Sequence, residues 1–341
     1  MDDDPYDPPP PGPGPPPPPP TRTGTLPFRV PSTGELAETY YSLWGDLNTP
    51  DAVPLVCIHG GPGFAHDYLV PISRVHATHG VPVVMYDQVG SGRSTRFRGR
   101  RDEGFWTVEL YLAELENLVR GLGIGRYDVL GHSWGGVLGV MHAAGGAGEG
   151  RRGRGGGGVR RLVLCSVPAD VEGWRGVEGG LRRALPPHIS HPLLTLPPSS
   201  PAYQTASIAF YRLHLCRTPT FPPELLASLA SLASDSAAYD ALLRRGGPLA
   251  TWSAQPHLPR LNDATVPGGM LLVNGAYDEA GADEGAMMPY FVGTGVRRTR
   301  WVVFGRSAQM AWLEEGERFV GVLGGFLGGR GEKRRDHGEG G

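Results

Sequence analysis

Lysine is almost missing from this chain: Lys333 is the single one, and every other basic side chain apart from histidine is an arginine. Cysteine is scarce as well, with three in 341 residues, Cys57, Cys165 and Cys216. An odd count without paired spacing argues against a disulfide framework. Cys57 and Cys165 sit inside apolar runs, so they read as small buried hydrophobes in a reducing compartment. No apolar run approaches the roughly 18 residues that a membrane helix needs. The start, Met1-Asp2-Asp3-Asp4, lacks the basic and apolar segments of a secretory leader. The net charge is -2, so no field of one sign points to nucleic acid or to an acidic membrane. Together these absences predict a soluble, cytoplasmic protein with no nucleic-acid or membrane partner.

What the chain has in excess is glycine, 53 residues, and proline, 34. With the arginine bias, this reads as compositional drift more than function. A hydrophobic fraction of 40% is enough for a sizeable core. The length suits one large α/β domain carrying an insertion, or two modest domains. Residues 5 to 20 are nearly all proline and glycine and predict a polyproline-II-like or disordered tail over 1–24. An SH3 or WW module is the partner such a tail would suit. The Gly-rich, charged stretch 328–341 predicts a second tail.

Between the tails, short unbroken apolar runs alternate with helical patterns. Leu55 to Ile58, Val83 to Tyr86, Tyr127 to Leu130, Leu162 to Cys165, Met270 to Val273 and Trp301 to Phe304 predict strands covered on both faces. Val108 to Leu122, Trp134 to His142 and Glu314 to Phe326 predict helices. The alternation predicts a doubly wound, mostly parallel sheet. Its core is divided into 25–168 and 262–327. Over 169–261 strand-like runs vanish, which predicts a helical cap. Gly145 to Gly158, with Arg151, Arg152 and Arg154, predicts a solvated loop rather than an RNA-binding segment.

Three constellations carry chemistry. Gly131-His132-Ser133-Trp134-Gly135-Gly136 follows an apolar strand and opens a helix, the setting of a nucleophile elbow. The helix N-terminus there favours developing negative charge. His59-Gly60-Gly61-Pro62-Gly63 lies at the end of an earlier strand, where glycines let a backbone N–H turn toward an oxyanion. Gly61 is the first candidate donor, Gly60 the next, and the Trp134 N–H completes the pair. Asp278, in Asn274-Gly275-Ala276-Tyr277-Asp278-Glu279-Ala280, stands after a late strand, where the acid belongs in the order Ser, acid, His. Gly121 to Gly125 resembles a dinucleotide loop but ends a helix and precedes a strand, the wrong order. No Cys/His spacing suits zinc, and no cofactor is implied.

These residues resemble the prolyl iminopeptidase and amino-acid amidase family. The resemblance rests on His59 to Gly63 with His66-Asp67-Tyr68, Asp87 to Ser94, Phe105 to Leu110, Gly131 to Gly136, Tyr211 to His214 and Asn274 to Ala280. It spans roughly Leu26 to Leu327. It implies an α/β-hydrolase fold and a serine hydrolase that removes N-terminal residues from small peptides or amino-acid amides.

Two departures from the family stand out. The resemblance implies a catalytic histidine after the last strand; here Gly305-Arg306-Ser307-Ala308-Gln309-Met310 places Gln309 at that position. An amide has no titratable lone pair near neutral pH and cannot take the Ser133 proton. His132 should point away from the elbow's open side, and His59 and His66 belong to the oxyanion motif. His188, His191, His214 and His257 lie in or near the cap, where a substitute base is conceivable. The second departure is in the cap, where relatives carry a Glu that can meet the substrate amino group. Arg245 to Ser253 has none, and Glu224 or Glu172 are the alternatives. Three readings stay open: an active serine aminopeptidase or amidase, a binding pseudo-hydrolase, and a non-hydrolytic enzyme using the same pocket.

Overall fold

A computed structural model describes residues 8–102, 104–145, 158–243, 246–281 and 284–328. The tail from 329 onward, the loop centre 146–157 and Arg245 lie outside the described residues.

Among the described residues the eight strands are β1 (Arg22–Arg29), β2 (Leu36–Trp44), β3 (Leu55–Ile58), β4 (Val83–Tyr86), β5 (Arg126–His132), β6 (Gly158–Cys165), β7 (Met270–Gly275) and β8 (Thr299–Phe304). They form one sheet in the order β1-β2-β4-β3-β5-β6-β7-β8. β2 pairs antiparallel with β1 and with β4; all other pairings are parallel. This is the α/β-hydrolase fold. Every apolar run expected to be a strand is one. Their side chains alternate between two cores: Val56, Ile58, Val129, Leu162 and Leu164 join one, while Leu55, Cys57, Leu130, Val163 and Cys165 join the other. A strand that fills both sides must be apolar at every position, which is why these runs are unbroken.

Helices cover both faces. They are α1 (Arg74–His79), α2 (Val108–Gly121), α3 (Trp134–Gly145), α4 (Val171–Ala184), α5 (Pro187–Thr195), α6 (Pro201–His214), α7 (Pro223–Ser234), α8 (Ala237–Leu243), α9 (Glu284–Val292), α10 (Ala311–Glu314) and α11 (Gly316–Leu327). α2 begins where the Thr107 side chain accepts the Leu110 N–H. Its apolar stripe packs with α3 against the first core. α4 to α8 form the insertion between β6 and β7. No described helix is long and apolar enough to cross a membrane.

Two expectations change. The helix expected over Glu314 to Phe326 is split into α10 and α11 at Glu315, whose backbone (φ -123°, ψ 50°) leaves the helical region. The Glu315 carboxylate accepts the Arg306 N–H and the Ser307 hydroxyl, each at 2.9 Å, and this anchorage breaks the run. The tail expected over 1–24 is not free where it is described. β1 starts at Arg22, and residues 8–20 run against the body. Gly12 donates to the Glu314 carbonyl at 2.7 Å and accepts from the Gly316 N–H at 3.1 Å. The Trp44 indole donates to the Pro18 carbonyl at 2.8 Å, and Arg306 reaches the Pro9 carbonyl. Proline carbonyls have no intrachain N–H partner in an extended segment, so donors from the body satisfy them.

Candidate active site

Ser133 follows β5 at the sharp bend into α3, with a positive φ of 50°. A non-glycine residue is held there only when its surroundings over-determine it. Here the Ser133 N–H donates to the Cys165 carbonyl at 3.0 Å, while its own carbonyl accepts from Gly136 and Val137. Gly135 is required by close approach, since a Cβ there would run into the Ile58 carbonyl. The same close packing brings the end of β3, and with it the 59–63 turn, alongside the elbow.

Ser133, Trp134, Gly61 and Gln309 line one pocket. Val137 and Pro168 form part of the wall, and Val171, Trp174, Leu243 and Leu249 cover it from the insertion and the segment after it. The pocket is therefore mostly apolar, with polar groups converging at one end. Gly61 has a φ of 117°, a conformation that suits glycine. The Gly60 N–H donates to the Tyr68 hydroxyl at 2.7 Å. Gly60 is thus committed elsewhere, and its candidacy as an oxyanion donor is withdrawn in favour of Gly61.

Asp278 and Gln309 come together because β7 ends against the turn after β8. The Ala276 N–H donates to Phe304 and the Tyr277 N–H to Ser307. Two buried glutamates shape that turn. The Glu314 carboxylate accepts the N–H groups of Ala308, Met310 and Arg217, and Glu315 accepts the Arg306 N–H and the Ser307 hydroxyl as described. Asp278 accepts from the Asn274 amide at 3.0 Å and the Ala280 N–H at 2.8 Å. The Ser166 hydroxyl lies between this carboxyl and the Gln309 carbonyl, 3.0 Å from the latter. Ser166, with a φ of 54°, is a site neighbour that the sequence did not reveal. Burial pushes Asp278 up to about 7, against the hydrogen bonds from Ser166, Ala280 and Asn274 that hold it down.

The Gln309 side chain turns to a different acid. Its Nε2 donates to Glu279 Oε1 at 3.4 Å. Glu279 is buried, and its Oε2 has no hydrogen-bond partner among the described residues. Burial raises it to about 8, helped by the nearby charges of Glu178 and Asp278 and opposed by Arg182 and the Gln309 amide. Glu224 and Glu172, the alternative acids for an amino group, do not line the pocket; Glu279 does not line it either, but it is hydrogen-bonded to Gln309, which does. Among the described residues, no histidine lines the pocket. His188 and His191 are exposed, His257 is half-buried, and His214 Nδ1 is hydrogen-bonded to the Tyr277 carbonyl at 2.9 Å. His132 Nδ1 is hydrogen-bonded to the Tyr68 hydroxyl at 2.6 Å.

The stretch from Asp87 to Ser94 is a buttress. Asp87 accepts the His66 N–H and ring and the Arg93 N–H. His66, Asp67 and Asp87 bring ligand atoms close enough for one cation. The Arg93 guanidinium already fills that role, 2.8 Å from Asp67 and 3.7 Å from Asp87.

The buried acids give folding a defined pH dependence. Glu114 and Glu279 rise to about 8, and Asp278 and Glu314 to about 7, chiefly through burial. Unfolded carboxyls titrate near ~4. The folded chain therefore holds more protons between those values, and stability is lost as pH rises through the folded pKa values. His59 and His132 oppose this; burial lowers them to about 4 and about 3, so stability is lost as pH falls below ~6.5. Above ~6.5 the carboxyls dominate, and the buried thiols of Cys57, Cys165 and Cys216, raised by burial, act in the same direction. Thermal unfolding at pH 8.5 is expected at a lower temperature than at pH 6.5, and a flat or rising profile would contradict these environments.

Comparison with known proteins agrees with the fold. The sequence profile of the alpha/beta hydrolase family matches residues 55–322. The solved structure of VinJ is 34% identical, with a TM-score of 0.79 over 91% of this chain and 99% of that one. The crystal structure of the proline iminopeptidase of Mycobacterium smegmatis is 30% identical, with a TM-score of 0.75 over 89% of this chain and 98% of that one. The proline iminopeptidase of Lactobacillus delbrueckii subsp. lactis is 27% identical over 309 residues, 85% of this chain and 94% of that protein. The chain belongs to the α/β-hydrolase family, in its proline iminopeptidase-like branch.

Proposed function

We propose that the protein is a serine hydrolase of the aminopeptidase or amidase type that holds a short, amine-bearing substrate against Ser133 and turns it over slowly. The observation that carries this reading is the convergence of Ser133, Gly61, Trp134 and Gln309 on one covered pocket. In this reading Ser133 is the nucleophile. The Gly61 and Trp134 N–H groups receive the oxyanion, and Asp278 is the acid of the triad. Attack by the hydroxyl on a carbonyl must release a proton, and the leaving amine must gain one. An imidazole does both; the Gln309 amide does neither. The same substitution favours a second reading, a pocket that binds its ligand without turnover.

Glu279 supports the amine-bearing class. Its unpartnered, buried Oε2 lies beside a pocket residue, where an ammonium group would satisfy it and draw its pKa down. Val171, Trp174 and Leu249 offer apolar cover for the adjoining side chain. Glu279→Gln is expected to weaken binding of an amino-acid amide about 10- to 100-fold, as for a lost charged hydrogen bond. It should leave a des-amino analogue unaffected, and calorimetric titration of both ligands reads the difference. Equal losses for both would remove the amine from the proposal.

The deciding experiment assays aminoacyl anilides and a fluorophosphonate probe on the native chain, Gln309→His and Ser133→Ala. Turnover gained in Gln309→His and abolished by adding Ser133→Ala is the expected result. Turnover that survives Ser133→Ala would overturn the assignment, and an inert Gln309→His protein would leave the binding reading in its place.

A further inference from the structure

We propose that Gln88 and His59 are positioning residues that set the separation and aim of the two oxyanion donors. This rests on the hydrolase reading above.

The argument follows one peptide plane. The Gly61 N–H and the Gly60 carbonyl belong to the same planar unit, so fixing one end fixes the other. His59 Nδ1 lies 2.8 Å from the Gly60 carbonyl. A carbonyl only accepts, so Nδ1 must carry the hydrogen. What enforces that tautomer is Gln88, whose backbone N–H donates to His59 Nε2 at 3.0 Å. An Nε2 that accepts has no hydrogen of its own, leaving Nδ1 as the donor. Burial also keeps the ring neutral, as this arrangement needs.

The Gln88 side chain ties the same unit to the second donor. Its Nε2 donates to the His59 carbonyl at 2.9 Å, and its Oε1 accepts from the Trp134 indole at 2.8 Å. Gln88 is fully enclosed, and the Ser91 hydroxyl holds its carbonyl at 2.7 Å. One amide therefore spans from the turn that presents the Gly61 N–H to the residue that presents the Trp134 N–H. Both of its ends are satisfied, and neither touches the pocket. Displacing a donor by part of an ångström weakens an interaction made mainly in the transition state, so the loss should fall on kcat and not on KM.

The test compares Gln309→His with the same protein carrying Gln88→Met, which keeps the length and removes both side-chain hydrogen bonds. We expect kcat to fall on the order of 10- to 100-fold with KM within about 2-fold, less than the 10²–10³ of a whole donor. Gln88→Glu can still accept the indole but cannot donate to His59, and should fall between. Leu118→Ala, in the core on α2, controls for general loosening: its melting temperature drops and its kcat holds. The native chain gives an independent readout through fluorophosphonate modification of Ser133, as limiting rate against half-saturating concentration. An inert Gln309→His protein would overturn the hydrolase reading and leave the brace to be decided by this labelling. Unchanged limiting rates in Gln88→Met, or an equal loss in Leu118→Ala, would overturn the brace. Absence of labelling in every chain would overturn both.

Discussion

Gln309→His is expected to raise turnover of an aminoacyl anilide by at least ~10³-fold. Removing the histidine from a working triad costs on the order of 10⁶ in kcat, about 8 kcal/mol of barrier. Part of that should return in one step if the proposed roles of the other residues hold. Ser133 already sits at a positive φ, and the Gly61 and Trp134 residues already line its pocket. Asp278 is already buried behind the same turn as residue 309. The gain is bounded because the Gln309 side chain now points to Glu279. An imidazole must turn toward Asp278 instead. Its arrival should also change that acid: with a cation alongside, the Asp278 pKa should fall from about 7 toward the ordinary carboxylate range. The activity of Gln309→His should therefore rise with pH through the histidine pKa. A gain of less than ~10-fold, with the fold intact by circular dichroism, would show that the site lacks more than its base.

Trp312→Ala is expected to cost about 3–5 kcal/mol of folding stability, read by urea denaturation. The indole is fully buried among Tyr68, His132 and Phe319, with ring centroids 4.9 to 5.8 Å away. Its Nε1 donates to the Tyr68 carbonyl at 2.7 Å. Truncation leaves a large void and strands that carbonyl, which adds about 1–3 kcal/mol if no water replaces the donor. Such a loss is a large part of the roughly 5–15 kcal/mol that holds a domain together. Trp312→Phe should lose less, since it fills most of the volume. A loss below ~1 kcal/mol for the alanine variant would mean that this cluster repacks freely.

The central sheet was legible because β3 to β8 face a core on each side, which forces continuous apolar sequence. β1 and β2 were not read as strands. Along β1 and the first half of β2, exposed and covered residues are interleaved, as in Leu36 to Tyr40, and such stretches lack the unbroken run that marks the others. The placement of Ser133, the 59–63 turn and Asp278 was legible because glycines or an acid stand at the ends of β5, β3 and β7. Glu279 was not, although it adjoins Asp278. Its importance comes from Gln309, 30 positions away, and local sequence carries no sign of that pairing. Ser166 was invisible for the same reason, standing 143 positions from the carbonyl it meets. The withdrawal of Gly60 depended on the Tyr68 hydroxyl, again a partner fixed only by packing.

The proline-rich leader and the turn bearing residue 309 are bound to one another across some 300 positions of chain, through Pro9, Gly12, Arg306 and the 314–316 backbone. The polypeptide is closed into a ring by its own beginning. Any module that seizes residues 8–20 must first peel them from Arg306 and the 314–316 backbone. Shortening that segment, or joining another protein to it, is therefore a change made against the turn that carries residue 309.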